Sequence, residues 1–300
     1  MSRTSLLALF VAVLLPPPGL TAQTKAPPVT SGDIVTQSDV IFGKGGDHDL
    51  HADIAYPKNA SGPLPAVIHI HGGAWIGGSY HDESVARFAQ AGYFAASIEY
   101  RLANVAKWPA QIQDCKCAVR WLRANAAKYN VDPNRIGAIG ESAGGHLVAC
   151  LATMAHASQY EGNGGWPGVS SAVQAIVVKY GPTDLTRAEM SAPGGVAVGL
   201  FGIPYAQNPA LYKSASPVYF VDAHDPPVLM AHGDADAAVP LVQAQVFADA
   251  LTKAGVPNRL LVIHNAGHGL SPLPGATDQR QAVRQTVLDF FAKHLAKQSH

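Results

Sequence analysis

The stretch that decides the fold is Arg135-Ile-Gly-Ala-Ile139, followed at once by Gly140-Glu-Ser142-Ala-Gly144. The first five residues have the length and character of a short buried strand, and the small residues after Ser142 favour a helix over 143–153. A Gly-x-Ser-x-Gly sequence between a strand and a helix is typical of a sharp turn that lifts a serine above a sheet. The glycines are required because a side chain would clash in so tight a turn. The motif is short, however, so its context must support Ser142 as a nucleophile.

Two later loops offer the base and the acid that an attacking serine requires. His232-Gly-Asp234-Ala-Asp236 and Asn265-Ala-Gly-His268 each follow a predicted strand. Asp234 could instead hold a turn through backbone N–H groups, so Asp236 is the favoured acid, partly on the resemblance described below. His264 lies within a predicted strand, whereas His268 lies in a loop between glycines and is the predicted base.

A third loop supplies candidate donors for the oxyanion of a tetrahedral intermediate. His71-Gly-Gly73-Ala74-Trp75 follows the predicted strand 66–71, and its small residues allow the backbone to approach a substrate. One donor is expected to be the N–H of Ala143, the residue after the nucleophile. The others are expected to be the N–H groups of Gly73 and Ala74.

Helical and strand patterns alternate along the chain, which predicts an α/β fold with a mostly parallel sheet and helices on both faces. The segment 186–220 is rich in Gly, Pro and Ala and is predicted to be an irregular cap that shapes the substrate pocket together with Trp75. Its aromatic residues would line that pocket or pack in the core. The predicted strands are 40–43, 50–56 (these two antiparallel), 66–71, 93–98, 135–139, 173–179, 227–231 and 259–264, and the predicted helices are 83–91, one opening at Pro109, 143–153, 239–254 and 277–297.

Composition limits the possible partners. The 300 residues contain 21 Lys and Arg against 21 Asp and Glu, and no long run of one charge sign. This balance disfavours nucleic acid and anionic membranes as partners. Nearly half of the residues are apolar (48%), which suffices for one large core.

The first residues have the layout of an export signal. Arg3 precedes an apolar run over 6–15 that is too short to span a bilayer, and Leu20-Thr-Ala22 offers a cleavage site. We therefore predict a signal peptide over 1–22, a polar leader over 23–36 and one catalytic domain over 37–300. The mature protein is expected to be secreted or periplasmic, without a membrane anchor.

Other reactive or charged residues have structural interpretations. Cys150 could form a disulfide with Cys115 or Cys117, or all three could be buried free thiols. Arg101 and Asp114 are expected to form a buried ion pair, and Asp184 to brace the segment after it. Four histidines fit no zinc spacing, so no metal is expected at His48, His51, His69 and His81.

These motifs together resemble the α/β-hydrolase fold over residues 37–297. More narrowly, they resemble the esterase/lipase branch that includes hormone-sensitive-lipase-like enzymes and bacterial carbohydrate-active esterases. Ala74 stands where many members have a third glycine, and the acid of the branch falls on Asp236. The stretches that carry the resemblance are His71-Gly-Gly-Ala-Trp75, Tyr100-Arg-Leu102, Pro109-Ala110, 114–123, Gly140-Glu-Ser-Ala-Gly-Gly145 and His232-Gly-Asp-Ala-Asp-Ala-Ala-Val-Pro240.

The resemblance implies hydrolysis of carboxylic esters by Ser142, Asp236 and His268 through an acyl-enzyme, without a metal or organic cofactor. Exported enzymes of this kind often remove acetyl or feruloyl groups from plant polysaccharides, so a small or polysaccharide-linked ester is the expected substrate. The alternatives are a serine exopeptidase of the same fold and a non-catalytic hydrolase-like binding protein.

Overall fold

One eight-stranded sheet forms the frame of the protein in a computed structural model that describes residues 34–193 and 195–297. The second strand in the chain is antiparallel to both of its neighbours, and every other pair in the sheet is parallel. The predicted antiparallel start and mostly parallel sheet are therefore confirmed. In chain order the strands are β1 (Ile34–Gly45), β2 (His48–Pro57), β3 (Leu64–Ile70), β4 (Phe94–Ile98), β5 (Val131–Glu141), β6 (Ala175–Lys179), β7 (Val228–Gly233) and β8 (Asn258–Ile263), and their spatial order is β1-β2-β4-β3-β5-β6-β7-β8.

Helices cover both faces of the sheet. The helices are α1 (Ser84–Gln90), α2 (Ala110–Ala124), α3 (Ala143–Thr153), α4 (Ala188–Ser191), α5 (Val196–Phe201), α6 (Pro209–Ser214), α7 (Val242–Lys253) and α8 (Arg280–His294). Side chains of β3 alternate between two buried clusters: Ile68 and Ile70 belong to the cluster that contains α2 and α3, and Val67 to the one that contains α1 and α8. This two-sided burial explains why β3 is apolar at nearly every position. In the described ranges, no helix is both long and apolar enough to cross a membrane.

The segment 186–220 differs from its prediction as irregular, because much of it forms the short helices α4, α5 and α6. Helices of four to six residues are too short to show the apolar periodicity by which longer helices are recognised. One signal was present in the sequence: the Asn208 side chain caps α6 by accepting from the Leu211 N–H at 3.0 Å, and Pro209 opens the helix.

Two strands begin at least four residues earlier than predicted. β5 begins at Val131 rather than Arg135, because Val131 pairs with Leu64 before a register shift around Asp132. β1 begins at Ile34, so the last three residues of the predicted leader, 34–36, lie in this strand. The predicted signal peptide over 1–22 and the remaining leader lie outside the described residues.

The structure favours free thiols over a disulfide, since Cys115, Cys117 and Cys150 are all free and buried. The predicted ion pair is confirmed: the Arg101 guanidinium donates to Asp114 at 2.8 Å. Asp184 also braces the following segment, since its carboxylate accepts from the Thr186 N–H at 3.0 Å.

Candidate active site

Ser142 occupies the sharp turn between β5 and α3. Its backbone has φ 53° and ψ −118°, a strained conformation for a residue with a side chain. The turn is possible because α3 starts directly against β3: a Cβ on Gly144 would collide with the Ile70 carbonyl oxygen. The Ser142 N–H donates to Lys179 O at 2.9 Å, which fixes the turn to β6. The hydroxyl therefore lies at the carboxyl edge of the sheet.

A continuous chain of hydrogen bonds joins Ser142 to His268 and Asp236. His268 Nε2 lies 3.0 Å from Ser142 Oγ, and His268 Nδ1 lies 2.8 Å from Asp236 Oδ2. His268 stands in the loop after β8, and Asp236 in the loop after β7. The structure thus brings together the three side chains that the sequence analysis predicted. His268 is 126 residues from Ser142 and 32 residues from Asp236 along the chain.

The Asp236 carboxylate is fixed by bonds on both oxygens. Its Oδ1 accepts from the N–H groups of Ala238 and Val239, both at 2.9 Å, which leaves Oδ2 for His268. Burial by itself would raise the pKa of Asp236, but the hydrogen bonds from His268 and Val239 outweigh it and lower that pKa. The side chain is therefore an anion that can orient an imidazole and stabilise its protonated form.

The competing pair lies apart from this chain of bonds. His264 Nδ1 lies 2.9 Å from Asp234 Oδ2, and the Asn265 N–H donates to Asp234 Oδ1 at 2.8 Å. The His264 side chain is 78% exposed and forms no hydrogen bond with Ser142, His268 or Asp236. Asp234 thus holds the turn after β8 through a backbone N–H, which was the alternative role considered for it.

The loop after β3 lies beside Ser142 in an unusual conformation. Gly73, Ala74 and Trp75 have consecutive positive φ values of 112°, 53° and 61°. The loop approaches the nucleophile closely, since a Cβ on Gly72 would lie 3.3 Å from Ser142 Cβ. Among the described residues, the N–H groups of Gly73, Ala74 and Ala143 donate to no backbone carbonyl. Three free donors therefore border the space above the serine.

His146 holds this loop in place from the first turns of α3. The Trp75 indole N–H donates to His146 Nδ1 at 3.2 Å, and His146 Nε2 donates to the carbonyl of Ala215 at 2.6 Å. Both rings are buried. Burial, partly opposed by the bond to Ala215, lowers the pKa of His146 to about 4, so the imidazole is neutral with its proton on Nε2. No pattern in the sequence indicated this contact.

His146 is expected to make stability depend on pH. Its pKa of about 4 in the folded protein lies below the unfolded value of 6.5, so the unfolded chain binds more protons between these values. Stability should fall as the pH falls through this window, by about 3 kcal/mol at pH 4 from this group. Urea unfolding at pH 7 and pH 4 checks this: the pH-dependent loss in the wild type should exceed that in His146→Gln by this amount. Equal losses would show that His146 does not titrate as described.

A second set of polar residues behind the turn was missed by sequence reasoning. Glu141 Oε2 lies 2.7 Å from His69 Nε2, and Glu141 Oε1 accepts from Lys179 at 2.7 Å. These residues come from β5, β3 and β6, which are neighbours in the sheet. Burial opposes ionisation of Glu141, but the charges of His69 and Lys179 prevail and hold its pKa far below the usual range. The carboxylate therefore ties together the three strand ends beneath Ser142.

A cavity of about 460 Å³ opens at Ser142 and His268. Met190 and Val196 from the segment 186–220 contribute to its wall, as does Trp75, which agrees with the predicted roles of both. The aromatic residues of that segment are not part of the wall; Tyr212, for example, is buried against Phe201. The other lining residues are mainly small or aliphatic and include Gly73, Ala74, Ala143, Pro182, Ala238 and Val239.

Comparison with known proteins places the chain in a family. A family model described as BD-FAE matches residues 52–251, which is more than half of the chain and includes Ser142 and Asp236. The chain belongs to the BD-FAE family. This result and the structural neighbours below confirm the α/β-hydrolase fold and the resemblance to esterases that the motifs indicated.

The chain is similar to curated proteins that are named as esterases. Esterase LipQ of Mycobacterium tuberculosis is 34% identical over 263 residues, which is 85% of this chain and 61% of LipQ. This BD-FAE chain spans about half to three fifths of the length of LipQ and two other curated mycobacterial relatives that it matches.

Two solved structures extend the comparison. A truncated carbohydrate esterase from gut microbiota has a TM-score of 0.78 and 32% identity, over 91% of this chain and 100% of that one. An acetyl ester-xyloside bifunctional hydrolase from Caldicellulosiruptor lactoaceticus has a TM-score of 0.71 and 30% identity, over 82% and 89% of the two chains. The BD-FAE fold of this chain is thus found in proteins named for esterase chemistry.

Proposed function

We propose that this protein is a serine carboxylic-ester hydrolase that acts through an acyl-enzyme on Ser142. The observation that carries the proposal is the hydrogen-bonded chain Ser142–His268–Asp236, with bonds of 3.0 and 2.8 Å. Its dimensions suit proton transfer from the hydroxyl to the imidazole. The esterase names of the relatives support the same reaction class.

In the first half-reaction, Ser142 Oγ attacks the ester carbonyl carbon while His268 Nε2 takes the hydroxyl proton. The carbonyl oxygen becomes an oxyanion, for which the N–H groups of Gly73, Ala74 and Ala143 are the proposed donors. The tetrahedral species then expels the alcohol, which receives the proton from His268. The acyl group remains on Ser142 as an ester.

In the second half-reaction, water attacks the acyl-enzyme and His268 takes the proton of that water. The new tetrahedral species expels Ser142 Oγ, which recovers its proton from His268, and the carboxylic acid leaves. Asp236 remains an anion throughout and stabilises the imidazolium that forms twice in each cycle. Apart from the ester and the water, every reacting or stabilising group in this scheme belongs to the protein chain.

Short acyl groups are the proposed substrates, with polysaccharide-linked acetyl esters favoured over feruloyl esters. Most of the cavity wall is small or aliphatic, and its two aromatic lining residues, Trp75 and Tyr180, are both buried, so little aromatic surface is open to a feruloyl ring. The names of two structural neighbours, a carbohydrate esterase and an acetyl ester-xyloside hydrolase, point to the same class of substrate. Such a substrate would suit the secreted or periplasmic location that the N-terminal segment predicts.

A substrate panel tests this proposal. Acetyl, butyryl, octanoyl and feruloyl esters of the same alcohol, and acetylated xylan, should be hydrolysed with the acetyl esters preferred. Alanine p-nitroanilide tests for exopeptidase activity, and labelling of Ser142 by a fluorophosphonate tests for an activated nucleophile. A preference for octanoyl esters would contradict the substrate class. Turnover of the anilide alone, or no labelling at all, would contradict ester hydrolysis itself.

A further inference from the structure

Two histidines and a glutamate meet on the outer part of the sheet, away from the candidate active site. His48 Nε2 lies 2.8 Å from Glu99 Oε1, and His51 Nδ1 lies 3.1 Å from Glu99 Oε2. We propose that His48, His51 and Glu99 form a binding site for one divalent transition-metal ion. With one ligand atom taken from each residue, the three atoms lie within 4.8 Å of one another.

Strand pairing creates this site from residues that are distant in sequence. His51 lies in β2 and Glu99 directly follows β4, and the Glu99 N–H donates to His51 O at 2.8 Å. The His51 N–H in turn donates to Glu99 Oε2 at 3.0 Å, which fixes the carboxylate. Spacing along the chain shows only that His48 and His51 are three residues apart, so the sequence could not reveal the third ligand, and for that reason it predicted no metal here. The two hydrogen bonds hold His51 and the Glu99 carboxylate together before any ion arrives, which favours binding.

The two nitrogen–oxygen distances, 2.8 and 3.1 Å, are compatible with a shared metal ion. Bonds from a metal to histidine nitrogen or carboxylate oxygen are about 2.0–2.2 Å long. If an ion were bonded to both atoms of a pair at those lengths, the two bonds would meet at the ion at an angle of about 90°. That angle is typical of octahedral or tetragonal coordination by nitrogen and oxygen, as preferred by Ni²⁺ and Cu²⁺. Water would complete the coordination sphere.

The donor chemistry also allows the ion to bind. A neutral imidazole carries one proton, which can sit on either ring nitrogen. When the ion takes the lone pairs of His48 Nε2 and His51 Nδ1, the protons occupy the other ring nitrogens and the Glu99 oxygens exchange their hydrogen bonds for metal bonds. The side chains are reachable from water, with exposed fractions of 47% for His48, 28% for His51 and 22% for Glu99.

Acidic groups on one side of the site favour a cation, and the charges on the other side cancel. Asp49 lies beside His48 and is paired with Lys44 at 3.0 Å. On the other side, the Tyr80 ring stacks on His51 at 6.4 Å, and its hydroxyl donates to Asp39. Beyond Tyr80 lies a second group of potential ligands, consisting of Asp39, Asp53 and His81. This neighbouring group offers only one imidazole, so the site with two histidines is the stronger for Ni²⁺.

Titration of untagged protein with Ni²⁺ tests the proposal. Calorimetry should show one ion bound per chain with a micromolar Kd, and the midpoint of thermal unfolding should rise by several degrees at saturating Ni²⁺. His48→Gln and His51→Gln should each weaken binding at least tenfold and remove the thermal shift. Because His48 is half exposed, its variant should keep the fold and the unfolding midpoint of the metal-free protein. Ester hydrolysis should be the same in both variants, since none of the three residues lines the catalytic cavity.

Two matched controls locate the ion. His264→Gln removes another exposed histidine that contacts a carboxylate but, within residues 34–193 and 195–297, lies in no group of three ligands, and it should leave Ni²⁺ binding unchanged. His81→Gln removes the imidazole of the neighbouring group and should also leave it unchanged. Equal binding by wild type, His48→Gln and His51→Gln would overturn the proposal. So would a loss of binding confined to His81→Gln, since the ion would then belong to the neighbouring group.

Discussion

Ser142→Ala should lower kcat/KM for p-nitrophenyl acetate by about 10⁵-fold or more, because the acyl-enzyme cannot form without the hydroxyl. The variant should fold normally. Alanine is smaller than serine and demands no more of the backbone at φ 53°. The hydrogen bond lost to His268 is partly exposed, so the free energy of unfolding should change by no more than about 1 kcal/mol. Initial rates with p-nitrophenyl acetate and a urea unfolding curve measure the two quantities.

Ser158→Ala is the matched control for this substitution. Ser158 is exposed on a 3₁₀ turn and borders no part of the catalytic cavity. Its loss should leave hydrolysis and fluorophosphonate labelling unchanged, whereas Ser142→Ala should abolish both. Hydrolysis by folded Ser142→Ala at more than a hundredth of the wild-type rate would show that another residue is the nucleophile.

Asp236→Asn should lower kcat by about 10⁴-fold, for a reason that the hydrogen bonds specify. Two backbone N–H groups donate to Asp236 Oδ1, so the carbonyl oxygen of asparagine must take that position. The amide NH₂ then faces His268 Nδ1 and can only donate to it. The imidazole proton is thereby moved to Nε2, which can no longer accept the proton of Ser142. The pH–rate profile and kcat for p-nitrophenyl acetate test this expectation.

Asp234→Asn provides a closely matched comparison two residues away. Asp234 bonds to exposed His264 and to the Asn265 N–H, so its replacement should change kcat less than threefold. The pair of variants separates the two candidates that the sequence offered for the acid. If Asp234→Asn were the slow variant and Asp236→Asn the fast one, the proposed acid would be wrong.

Much of the fold could be predicted because its signals are local. The elbow around Ser142 is a strand, a tight glycine turn and a helix in consecutive residues, and α3 has the bounds that the pattern predicted. The loops that carry Asp236 and His268 follow apolar strands, and parallel strands carry their carboxyl ends to one edge of a sheet. Sequence order and strand direction were therefore enough to bring these loops to one edge, whereas the choice of Asp236 over Asp234 rested partly on the family resemblance.

Other features depend on pairing between distant segments, which a single sequence does not encode in a visible way. Glu141 meets His69 and Lys179 only because β5 lies between β3 and β6. In the same way, Glu99 reaches His51 through the pairing of β2 with β4. The short helices of 186–220 were missed for a different reason: α4 and α6 each bury one residue, Met190 and Tyr212, and α5 is only six residues long, so none carries an apolar pattern that repeats over several turns.

The single imidazole of His146 has a consequence for efforts to change substrate preference. It joins Trp75 in the loop beside the nucleophile to Ala215 in the segment whose helices form the cavity wall. Substitutions that reshape this wall by shifting the backbone near Ala215 will therefore also disturb the proposed oxyanion donors. In directed evolution for bulkier acyl groups, mutations that shift the backbone near Ala215 should therefore enlarge the pocket at the cost of a lower kcat. The mutations that escape this cost should cluster at Met190 and Val196, which border the cavity, whereas the imidazole is hydrogen-bonded to Trp75 and Ala215.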